Sequence, residues 1–253
     1  MFRPRAHTHL LFVLACLTWA HAQYEVPNEI FQRTLLIRSG KDQATALKFD
    51  QDGQIYLVTT RHFGKNLPRN SAVVQVWHNQ TWNDLHTVRT LFPASEDVDL
   101  AILETGERIA KPYTAVKSEE VLTTEQKVWV MGWIALVQFP KMPATMPKTS
   151  QVVFPEIPMV TIGKVSAIDP SQPDSFEIRT RGFDSNRTAG GPIIYWSPIH
   201  RDFEILGVIK RIRIQTVKDP TDAKDNQSPV NWGILKGYSI DLVVDTIRHN
   251  PHP

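Results

Sequence analysis

The chain is expected to be an all-β protein closed by a single C-terminal helix, and three observations predict this. Short runs of alternating or β-branched apolar residues recur along it, Gly, Pro, Asn and Asp separate those runs, and a sustained helical period occurs only near the end. Strand spacing by itself fits a sandwich or a barrel equally well.

In chain order, Thr45, Leu47 and Phe49 share one face of a strand, 50–53 turns, and Ile55 to Thr60 returns as the second arm of a hairpin leading to His62. Val73 to Trp77 and Leu85 to Val88 form a second pair around Asn79-Gln80. Asp99 to Leu103 reads as a short buried strand. From Glu104 to Gln126 the chain turns polar and reads as a crossover between two halves. Further strands are expected at Val128 to Trp133, Val160 to Ile168, Phe176 to Arg179, Pro192 to Trp196 and Ile205 to Val217. Between them, Gln138 to Pro158 carries five prolines, which excludes a central strand, and Asp219 to Pro229 reads as another loop. At the end, Ile240, Val243, Val244 and Ile247 fall on one helical face. Ser239 is a suitable N-cap, Tyr238 can staple to Val243, and Arg248 complements the C-terminal dipole.

The N-terminus reads as a secretory signal peptide. Arg3 and Arg5 precede an apolar run from Leu10 to Ala20, and Ala20-His21-Ala22 is a small-x-small cleavage site, so cleavage is expected after Ala22. No later segment has the ~20 apolar residues needed to cross a bilayer as a helix. The expected product is therefore secreted or periplasmic, with no membrane attachment after signal removal. The only cysteine, Cys16, lies inside the signal, so a mature disulfide is excluded. The formal charge of +2 equals the two signal arginines, leaving a mature chain near neutrality whose bulk charge names no partner. Lys210-Arg211-Ile212-Arg213 is a local basic stretch that reads first as a solvated strand face.

Three short segments carry chemistry. Leu57-Val58-Thr59-Thr60-Arg61-His62 is similar to the strand ending in Thr-Ala-x-His of the trypsin-like serine peptidases. Asp99-Leu100-Ala101-Ile102-Leu103 resembles that family's Asp-Ile-Ala-Leu-Leu strand, and Ala189-Gly190-Gly191-Pro192 resembles its Ser-Gly-Gly-Pro turn with alanine for serine. The order His, Asp, nucleophile is that of this family rather than of α/β-hydrolases or subtilisins. The resemblance extends over nearly the whole mature chain. It implies two six-stranded antiparallel β-barrels, at about 30–112 and about 113–238, and a helix at about 240–248, all within one domain spanning 23–253.

The same resemblance assigns roles by position. His62 would be the base and Asp99 its orienter, preferred over Asp97 because the apolar run begins directly after Asp99. Ala189 stands at the nucleophile position, and a methyl group cannot attack a carbonyl. Thr188 and Arg187 also depart from the family's usual pair before the nucleophile, and Thr188 or Ser185 would be the nearest substitute hydroxyls. The backbone N–H groups of Ala189 and Arg187 would form an oxyanion hole, since such donors need no side chain. Counting back six residues from Ala189 places Phe183 near the base of the specificity pocket.

The expectation is a secreted homologue of trypsin-like peptidases that binds peptide or protein between its barrels without cutting it; the alternative is an endopeptidase whose nucleophile is replaced. Neither a cofactor nor a metal is implied, because His62, His78, His86, His200, His249 and His252 show no ligand spacing with cysteine or carboxylate. No aromatic-and-basic surface or phosphate-cradling loop points to nucleic acid or nucleotide. Asn79-Gln80-Thr81 and Asn186-Arg187-Thr188 are glycosylation sequons, relevant only in a eukaryotic secretory route.

Overall fold

Twelve strands close into two antiparallel barrels in this computed structural model, which describes residues 26–106, 112–113, 122–133, 158–168, 171, 174–181, 188–213 and 232–251. The signal segment lies outside the described residues. After a short helical turn, α1 (Asn28–Phe31), the first barrel comprises β1 (Thr34–Ser39), β2 (Asp42–Gln51), β3 (Gln54–Thr59), β4 (Val73–His78), β5 (Thr81–Leu91) and β6 (Ala101–Thr105). A second helical turn, α2 (Arg61–Gly64), follows β3. The other barrel comprises β7 (Lys127–Trp133), β8 (Pro158–Ile168), β9 (Ser175–Arg181), β10 (Pro192–Ser197), β11 (Asp202–Arg213) and β12 (Trp232–Ser239). The helix α3 (Ile240–Arg248) ends the fold.

Both barrels use one strand order. The first runs β1-β2-β3-β6-β5-β4 and closes through β4 on β1, where Ile37 faces Val76. The second, read from β7, runs β7-β8-β9-β12-β11-β10 and closes where Ile193 faces Val130. Closure removes the exposed strand edges that an open sheet would present.

Alternation along the strands explains three separate cores. Leu57 and Leu103 point into the first barrel with Leu35, Ile37 and Val74. Val128, Val165, Ile178 and Leu235 fill the second. Their neighbours on the opposite face, Tyr56, Val58 and Ile102, join Met131, Ile194, Val208 and the α3 residues Ile240, Val243 and Ile247 in a third cluster between the barrels. Leu100 to Leu103 are apolar without a break because both faces of that strand are covered.

Several boundaries differ from those expected. Sequence reading assigned no strand to Thr34–Ser39, because β1 is buried on both faces through Ile37 and shows no alternation. Glu104 was placed at the start of the polar crossover, yet it is the fourth residue of β6 and fully buried against Arg89. Pro158, assigned to the proline-rich loop, is the first residue of β8, a position that tolerates its missing N–H. Of the other long-loop residues, 138–157 and 219–229 lie outside the described residues, as do 214–217, where β11 was expected to continue. The helix matches its expected face, and Ser239 Oγ accepts from Asp241 N–H at 3.2 Å, the N-cap bond the sequence suggested.

Candidate active site

His62 follows the strand β3, which the sequence led up to it, and is the second residue of α2. The turn begins directly after β3, with Gly64 N–H donating to Thr60 O and Lys65 N–H to Arg61 O. It lies hard against β6, since a Cβ at Gly64 would stand 2.6 Å from the Cβ of Ala101. That close approach sets His62 across from Asp99, two residues before β6.

Asp99 grips His62 twice. His62 Nδ1 lies 3.2 Å from Asp99 Oδ2, and the His62 backbone N–H donates to Oδ1 at 3.0 Å. Hydrogen bonding to Asp99 raises the imidazole's pKa above its ordinary value and outweighs the opposing effect of partial burial. For Asp99, burial alone would raise the carboxyl pKa, but the hydrogen bonds from the His62 ring and from the His62 and Arg61 backbone together hold it below the usual value. Asp97, the rival carboxylate, is exposed in the preceding turn, where its N–H lies 3.3 Å from Ser95 Oγ.

Two residues that sequence reasoning gave no role in the site complete this arrangement. Arg61 donates from Nε to Val98 O at 2.8 Å and from its terminal nitrogen to Pro93 O and Ser95 O at 2.7 and 2.8 Å. One guanidinium thus fixes the loop that delivers Asp99, a use suited to its rigid fork of donors. Tyr238, from the other barrel, accepts the Asp99 backbone N–H on its hydroxyl at 2.8 Å. Neither role had a sequence signal, because both depend on partners more than thirty residues away.

The Ala189-Gly190-Gly191-Pro192 turn comes to the same junction from the second barrel. Gly190 has φ +88° and sits so close to β2 and β3 that a Cβ there would stand 2.4 Å from Thr45 O and 3.1 Å from Thr59 Oγ1. Gly191 N–H closes the turn on Thr188 O, and Gly190 N–H donates to Ile209 O, both at 2.9 Å. The turn therefore abuts the strand end that leads into His62. Ala189 is 8% exposed, and its side chain is a methyl group.

Among the described residues, the candidate hydroxyls of Thr188 and Thr60 are buried. Thr188 is fully buried and packs on Gly132, where an added Cβ would lie 2.7 Å from the Thr188 Cβ. Thr60 Oγ1 lies 3.4 Å from His62 Nε2, but Thr60 is also fully buried and closed to a substrate. The remaining candidates, Arg187, Phe183 and Ser185, lie outside the described residues. Lys210, from the basic stretch, is half-buried with its ammonium 5.0 Å from the Tyr238 ring centre, while the side chains of 211–213 lie outside the described residues.

Two closed six-stranded antiparallel barrels followed by a short C-terminal helix form the trypsin-like double barrel. Rv3671c from Mycobacterium tuberculosis H37Rv, in the inactive form of a serine-to-alanine mutant, superposes with a TM-score of 0.50 at 16% identity, covering 87% of each chain. The MamO protease domain from Magnetospirillum magneticum gives a TM-score of 0.48 at 15% identity over 87% of this chain and 98% of its own. No protein-family model and no curated protein sequence matches the chain. At 16% identity the likeness to Rv3671c speaks for the fold alone.

Proposed function

We propose that this chain is a secreted pseudoprotease, a peptide- or protein-binding member of the double-barrel fold that has lost hydrolysis. One observation carries the reading: the His62–Asp99 pair is assembled, with Nδ1 to Oδ2 at 3.2 Å, while the turn where a nucleophile would stand offers only the methyl group of Ala189. An oriented imidazole without a hydroxyl to deprotonate does no nucleophilic catalysis. Burial of Thr188 speaks against its serving as a substitute. The binding role rests on the backbone, because N–H donors at Ala189 and Arg187 would receive a peptide carbonyl whatever their side chains. Export rests on the signal-like N-terminus.

A fluorophosphonate probe and a mixed peptide library, applied to the chain and to an Ala189→Ser variant, test this directly. The unmodified chain is expected to show neither labelling nor cleavage, and the variant to become labelled. Labelling or hydrolysis by the unmodified chain would overturn the proposal.

A further inference from the structure

Beside His62 opens a polar recess of about 450 Å³, bordered by Lys41 and Asp42 at the β1–β2 turn and by His62, Phe63, Lys65 and Asn66 in and after α2. Lys41, Lys65 and the His62 side chain are exposed there. Among the described residues neither lysine stands within ion-pair distance of a carboxylate. The one acidic side chain on the border, Asp42, already accepts from Asn66 Nδ2 at 3.0 Å. The recess thus brings two ammonium groups beside an imidazole already paired with Asp99, against one further carboxylate that Asn66 engages. Cations lining one concave site attract an anion more strongly than the same charges spread over a flat surface.

We propose that this recess binds a carboxylate carried by a peptide, with Lys41 and Lys65 as its charge-pairing residues and the His62 side chain on its border. The proposal rests on the peptide-binding reading above and adds the chemical class of the group selected next to His62. Two sources supply that chemistry: the free C-terminus of a peptide and the side chain of an aspartate or glutamate. Charge-assisted bonds from compact ammonium groups give the discrimination, and the exposure of the lysines makes the affinity salt-dependent.

Three short probes titrated into the full chain test it, with the His62 imidazole NMR resonances as the readout. They are N-acetyl-trialanine with a free C-terminus, its C-terminal amide, and N-acetyl-Ala-Glu-Ala amide. Saturable His62 shifts are expected with at least one carboxylate-bearing probe and not with the neutral amide; comparing the free terminus with the glutamate identifies the source. A Lys41→Glu/Lys65→Glu double variant, its fold checked by circular dichroism, is expected to bind at least tenfold more weakly. Equal binding of the neutral amide, no binding of either carboxylate, or less than a twofold change in the double variant would overturn the proposal. The Ala189→Ser labelling experiment fails or succeeds independently, so loss of the recess reading is distinguishable from loss of the pseudoprotease reading.

Discussion

His62 is held by its ring and by its backbone, and the same carboxylate does both. Asp99 takes the ring at Nδ1 and the main chain at N–H, so the contact fastens the His62 segment through side chain and main chain together. Its pH dependence follows from the two shifts. The folded-state His62 pKa lies above 6.5, so its stabilising contribution is fully present below 6.5 and disappears as pH rises through the raised value. Asp99 lies below 3.8, so its contribution is present above 3.8 and disappears as pH falls through the lowered value. A His62→Gln variant should accordingly differ most from the parent in denaturant midpoint between about pH 4 and pH 6.5, and converge on it at higher pH. Urea titrations across that range check this; a difference independent of pH would contradict it. At this scale the sequence was informative where chemistry is local. The choice of Asp99 over Asp97 followed from the apolar run after it, whereas the roles of Arg61 and Tyr238 were invisible because hydrogen bonds to distant carbonyls and amides leave no local pattern.

Elements are fastened by charge where the apolar pattern gave no warning. Arg89 on β5 meets the fully buried carboxylate of Glu104 on β6. The same guanidinium donates to Pro251 O at 2.9 Å and Asn250 O at 2.7 Å, the residues just beyond α3. One arginine therefore ties two strands of the first barrel to the helix that follows the second. Replacing Arg89 with alanine should destabilise the fold by about 3 kcal/mol, because it leaves a buried carboxylate without that partner. The loss should appear as a lower urea midpoint, together with faster amide hydrogen exchange in α3. A cost below about 0.5 kcal/mol, the range of an ordinary surface substitution, would refute the clamp. Sequence reading placed Glu104 at the start of a polar crossover, and a charged residue is almost never fully buried unless paired. Its partner lies fifteen residues earlier and becomes a neighbour only when β5 and β6 pair.

The barrels meet along a seam of threonines and one tryptophan. Trp133 N–H donates to Thr45 Oγ1 at 3.0 Å, Trp133 Nε1–H to Thr34 O at 3.2 Å, and Thr59 Oγ1 to Thr45 O at 2.8 Å. Gly190 presses into the same place, so the seam sets how the Ala189 turn faces the His62 segment. A Thr45→Val change removes the hydroxyl that receives the Trp133 N–H and should cost about 1–3 kcal/mol through a buried donor left without its acceptor. Thermal unfolding measures this, and an unchanged midpoint would show that the seam bond is dispensable. The sequence by itself determined the β class, the terminal helix with its Ser239 cap, and the absence of a serine in the Gly-Gly-Pro turn, because periodicity, capping and side-chain chemistry are local properties. Only the tertiary structure decided that His62 and Asp99 touch, that Thr188 and Thr60 are closed to solvent, and that Lys41 and Lys65 border one recess. Those facts depend on barrel closure, which brings together residues far apart in the chain whose proximity is not encoded in any short stretch.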